Sequence, residues 1–120
     1  MSVLIVESNP ELARLWQRHL ERQGRKVVTA RTQHEAINML QSEHVSIIVL
    51  DVVLEEGSAL AVADYASYRY PDVRVVFVSS SNFFSDGSIF NHSANACAYI
   101  PTSAPPDDLA ALVDHYEVHL

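Results

Sequence analysis

Apolar residues cluster into short, nearly unbroken runs: Val3-Leu4-Ile5-Val6, Ile47-Ile48-Val49-Leu50, Val73 to Val78 and Ala96 to Ile100. Strands buried on both faces of a parallel sheet read in this way, without polar alternation. Helical spacing fills the intervals. Asn9-Pro10 opens a helix, with Asn9 as N-cap and Pro10 at the first helical position. Leu12, Leu15, Trp16 and Leu20 give it an apolar face, and Gly24 ends it. Val27-Val28-Thr29 is a short second strand. Thr32 caps a second helix, and Glu35 three residues later completes a capping box. A third helix is expected from about Ser58 to Tyr70, before the Pro71-Asp72 turn. A long loop with a short helix near 86–93 follows the fourth strand. Pro105-Pro106-Asp107-Asp108 opens a last helix, with its acids against the N-terminal dipole.

Five strands alternating with five helices predict a doubly wound α/β domain, a five-stranded parallel sheet in the flavodoxin-like order 2-1-3-4-5. The whole chain, 1–120, is expected to form this one domain, with no output domain attached. Two apolar runs end on acids: Val6 precedes Glu7, and Leu50 precedes Asp51. Ligand sites in such sheets lie outside the carboxyl ends of the strands, at the switch point between strands one and three. Glu7 and Asp51 are therefore expected to meet in an acidic pocket. Such a pocket can hold a hard cation and present an aspartate to a phosphoryl donor.

Composition narrows the partners. A net charge of −7 argues against nucleic acid. No apolar stretch is long enough to cross a membrane, and the chain starts on a strand with no basic leader, so a cytoplasmic protein is expected. One cysteine, Cys97, cannot form an internal disulfide and is expected to be buried and inert. His115 and His119 have i, i+4 spacing but no third metal ligand, which points to a solvated C-terminus.

At this point the residues resemble the receiver domain of two-component response regulators, over nearly the whole chain. The resemblance rests on Val3 to Glu7, on Leu50-Asp51-Val52-Val53-Leu54 with Gly57, on Val76-Phe77-Val78-Ser79, and on Ala96 to Ile100 with Tyr99. It implies a phosphoacceptor at Asp51, served by a histidine kinase or phosphotransfer protein. It implies a Mg²⁺ site built from Glu7, Asp51 and the backbone carbonyl of Val53. It assigns Ser79 to the phosphoryl oxygen and Tyr99 to an inward-turning switch. The domain is then a signalling module, not an enzyme, and a monomer or weak homodimer. The resemblance places its partner surface on the face of the 82–94 segment, strand five and the last helix. Phe83 and Phe84 are adjacent aromatics there.

Several positions depart from the family pattern. Ser8 stands where a second acid is usual. Thr102 stands where a lysine is usual, followed by Ser103 in place of proline. Glu55 also replaces a common proline. Loss of one anionic metal ligand and one cation weakens both metal and phosphoryl binding. The expectation is an atypical receiver acting through protein–protein contact, with weak Mg²⁺ binding. A working phosphoacceptor is the alternative. A small flavodoxin-like enzyme or nucleotide binder has only the fold to support it.

Overall fold

The computed structural model describes residues 2–79 and 95–118. Five parallel strands, β1 (Ser2–Val6), β2 (Lys26–Ala30), β3 (Val45–Asp51), β4 (Arg74–Ser79) and β5 (Ala96–Pro101), form one sheet in the order β2-β1-β3-β4-β5. This is the order expected from the sequence. The described helices are α1 (Pro10–Glu21), α2 (Gln33–Ser42), α3 (Ala59–Arg69) and α4 (Pro106–Val118). The helix expected near 86–93 lies outside the described residues, as do Phe83, Phe84 and His119.

Alternate strand residues face opposite sides of a sheet. Leu4, Val6, Ile48, Leu50, Val75 and Phe77 pack with α2 and α3. Val3, Ile5, Ile47, Val49, Val76 and Val78 pack with α1 and α4. Both faces are therefore covered, which explains the unbroken apolar runs. β5, like β2, is an edge strand and is less buried than the central three. Cys97 on it is half-buried instead of fully enclosed; burial still pushes its thiol up to about 11, out of the reactive range.

The helix starts follow local capping chemistry. Asn9 Oδ1 accepts from the N–H groups of Glu11 (3.0 Å) and Leu12 (3.3 Å). Thr32 Oγ1 accepts from Glu35 N–H at 3.1 Å. Glu35 then reaches one residue past the cap and accepts from Arg31 N–H at 3.0 Å, not from Thr32. Ser58 Oγ accepts from Ala61 N–H at 3.2 Å and starts α3. Arg25 pairs with Asp114 at 2.8 Å and fastens α4 to the turn after α1.

Candidate functional site

Strand register brings the two carboxylates together. Val6 pairs with Leu50, so the next positions, Glu7 and Asp51, lie side by side at the carboxyl ends of β1 and β3. Both continue the alternation of Val3, Ile5, Ile47 and Val49, and so fall on the α1/α4 side.

Glu7 is only 3% exposed. Its Oε2 accepts the Asn9 N–H at 3.1 Å, so the start of α1 orients it. Its Oε1 is buried and has no donor. Burial first, and then the facing Asp51 carboxyl, push its pKa from 4.5 up to about 8. That shift favours the protonated form of Glu7 at neutral pH. Asp51 is half-buried, and its Oδ1 accepts Val53 N–H at 2.9 Å. Among the described residues neither carboxylate has an ion-pair partner, and no third metal-ligating side chain joins them.

Ser8 is buried and turned towards the loops. Its hydroxyl donates to the Arg31 carbonyl at 2.8 Å, and its oxygen accepts Glu55 N–H at 2.9 Å. It thereby ties the loop after β3 to the loop after β2. Gln33 makes a second tie. Its backbone N–H donates to the Glu56 carbonyl at 3.2 Å, and its Oε1 accepts Ser58 N–H at 2.8 Å. The Gln33 side chain passes where a Cβ on Gly57 would stand, and Gly57 itself has φ +89°. Only glycine meets both demands without strain. Nothing local to Gln33 signals this role beyond its first-turn position in α2.

The other residues singled out from sequence lie around this centre. Val53 is exposed at 69%. Glu55 is exposed, with its backbone N–H held by Ser8. Ser79 ends β4 and is buried; its carbonyl accepts Thr102 N–H at 3.0 Å. Thr102 thus sits just beyond β5, half-buried, and Ser103 is exposed. Tyr99 pairs in register with Phe77 yet is 49% exposed, facing outward at the sheet edge.

No curated protein matches the sequence. Solved structures do match in fold. A CheY-like response regulator receiver domain protein from Methanospirillum hungatei JF-1 superposes with TM-score 0.87 at 21% identity, over 99% of this chain and 98% of its own. The receiver domain of NtrX from Brucella abortus gives TM-score 0.86 at 20% identity, over 96% and 97%. The signal receiver domain of a putative Luxo repressor protein from Vibrio parahaemolyticus gives 0.85 at 19%, over 96% and 88%. Residues 3–114 match the family described as the response regulator receiver domain. With that match spanning almost all of the sheet and its helices, the chain belongs to the response regulator receiver domain family.

Proposed function

We propose that this receiver domain is an atypical one, a cytoplasmic signalling module that works mainly through protein–protein contact, with phosphoryl transfer to Asp51 weakened. The observation that carries this reading is the engagement of Ser8. Where the family pattern has a second acid, this chain has a hydroxyl already committed to Arg31 and Glu55. The pocket is left with Glu7 and Asp51, and burial beside Asp51 pushes the Glu7 carboxyl up to about 8, which disfavours its anionic form. Thr102 brings no positive charge to offset a transferred phosphoryl group.

The residues still fit a divalent cation. The buried Glu7 Oε1 lacks a donor, and a hard cation would satisfy it. Glu7, Asp51 and the Val53 carbonyl would hold Mg²⁺, which would neutralise charge on an incoming phosphoryl group. That orphaned oxygen favours the second reading, a working phosphoacceptor served by a histidine kinase or phosphotransfer protein. Within either reading, Asp51 is the nucleophile, and Val53 N–H fixes the orientation of its carboxylate. Ser79 and Tyr99 would answer the new charge. The exposure of Tyr99 on β5 supports the β5 part of the partner face expected from sequence.

Incubation with a small phosphodonor and Mg²⁺, followed by intact mass, separates the readings. Slow, partial addition of one phosphoryl group, abolished in Asp51→Asn, is expected. Rapid and complete labelling would establish the working phosphoacceptor instead.

A further inference from the structure

A cavity of about 760 Å³ opens at the amino ends of the strands, between the α3–β4 turn and the first residues of β3, β4 and β5. β3 runs seven residues from Val45 to Asp51, so about 20 Å separates this cavity from the carboxylates. It is no extension of the acidic pocket, which lies at the opposite ends of the same strands.

Its charge runs against that of the molecule. The chain carries −7 overall, and all but two of its eight Lys and Arg fall between residues 14 and 31. The two exceptions, Arg69 and Arg74, both line this cavity, and His44 joins them. Asp72 is the one carboxylate among the described lining residues. Two guanidiniums against one carboxylate leave a single positive charge, or two when His44 is protonated. Neither arginine forms an ion pair among the described residues. Helix-end electrostatics accounts for Arg69, which lies in the last turn of α3. It does not account for Arg74, the first residue of β4, or for His44, in the connection before β3.

The walls suit an organic anion better than a bare ion. Tyr70 lines the cavity, with the Arg69 guanidinium 6.0 Å from its ring centroid. Asn95 is buried in the lining, and its side-chain amide donates to the Val73 carbonyl at 3.0 Å, which fixes that wall. Pockets of roughly 300–1,000 Å³ hold drug-sized ligands. Planar guanidiniums match phosphate oxygens in pairs, and an aromatic ring offers a face to a flat body.

We propose that this cavity binds a phosphate monoester carried on a flat organic body, of mononucleotide size. This site is independent of Asp51 and of the reading proposed for it. The test is an amide NMR titration of the whole chain, in the presence of a chelator, with AMP, GMP, UMP and phenyl phosphate. Adenosine and inorganic phosphate serve as the separate halves. At least one monoester is expected to bind with submillimolar affinity and to shift the amides of residues 69, 70, 72–74 and 95–97. Each half alone should bind about tenfold more weakly or worse. Arg69→Gln and Arg74→Gln, made singly and together, should each reduce affinity; Arg69 is exposed, so its variant folds even if Arg74→Gln does not. No monoester binding in the millimolar range overturns the proposal. So do shifts confined to Glu7, Asp51 and Val53, or binding unchanged in Arg69→Gln.

Discussion

Glu7 couples the folding of this domain to pH. The unfolded chain releases the Glu7 proton near 4.5, whereas the folded domain holds it to about 8. Between those values the native state binds one more proton than the unfolded state. The contribution of Glu7 is therefore full below pH 4.5 and drains as pH rises, levelling off above about 8. The slope is at most ~1.4 kcal/mol per pH unit. Glu7→Gln keeps the shape and cannot ionise, so its urea midpoint should fall less between mildly acidic and mildly basic pH. Equal slopes for both proteins would show that Glu7 is ionised throughout. Ser8→Asp acts on the same pocket. An aspartate there faces the Arg31 carbonyl that Ser8 now donates to. It cannot make that bond as a carboxylate, and turned towards Glu7 and Asp51 it adds a hard anionic ligand for a cation. Calorimetry should show tighter Mg²⁺ binding in Ser8→Asp, together with lower stability of the metal-free protein. Equal affinities would remove Ser8 as a determinant of Mg²⁺ affinity. The juxtaposition of Glu7 and Asp51 was legible in the sequence, because each follows an apolar run that fixes a strand and its end. The Ser8 contacts were not. Its partners lie 23 and 47 residues away in the chain, and no local pattern encodes such a pairing.

At the scale of elements, the strands were readable because burial on both faces leaves an apolar signature that needs no partner information. The caps were readable for the opposite reason, since Asn9, Thr32 and Ser58 bond within a few residues of themselves. The loop after β3 belongs to neither class. Its shape depends on Gln33, from a different element, and on Gly57 at φ +89°. Gly57→Ala should therefore cost about 1–3 kcal/mol. Part of the cost is the left-handed backbone. The rest is displacement of Gln33, whose bond to Ser58 N–H helps start α3. Denaturant unfolding measures the loss. If Gly57→Ala also leaves phosphodonor labelling of Asp51 unchanged, the tie is structural alone. A change in labelling rate would show that this loop positions the groups around Asp51. By contrast, Gly24 has φ +82° but nothing within 4 Å of a Cβ, so substitution there should cost only the backbone strain.

In the molecule as a whole the sheet carries helices on both faces, and that limits how any event at Asp51 can be felt outside. β3 is buried along nearly its full length, so the centre of the sheet presents nothing to a partner. The exits are the strand ends and the edge strand β5. Phe77 and Tyr99 show the contrast. They are neighbours in register on β4 and β5, yet Phe77 is 0% exposed and Tyr99 is 49% exposed. Phe77 packs with α2 and α3, so Phe77→Ala leaves a cavity in the centre of that layer and should cost about 3–5 kcal/mol. Half of the Tyr99 surface is in water already. Tyr99→Ala should then cost less than about 1.5 kcal/mol, since burial of a whole large side chain contributes roughly 1.5–3 kcal/mol. Urea unfolding of the two variants beside the parent decides this directly. Comparable losses would mean that Tyr99 is packed inward in solution, the arrangement the family resemblance assigns to the switched state. A small loss at Tyr99 alone would leave an aromatic side chain standing at the sheet edge at little structural cost. A protein partner could then capture such a residue without disturbing the core, which is the route that the proposed weakening of the phosphoacceptor would call for.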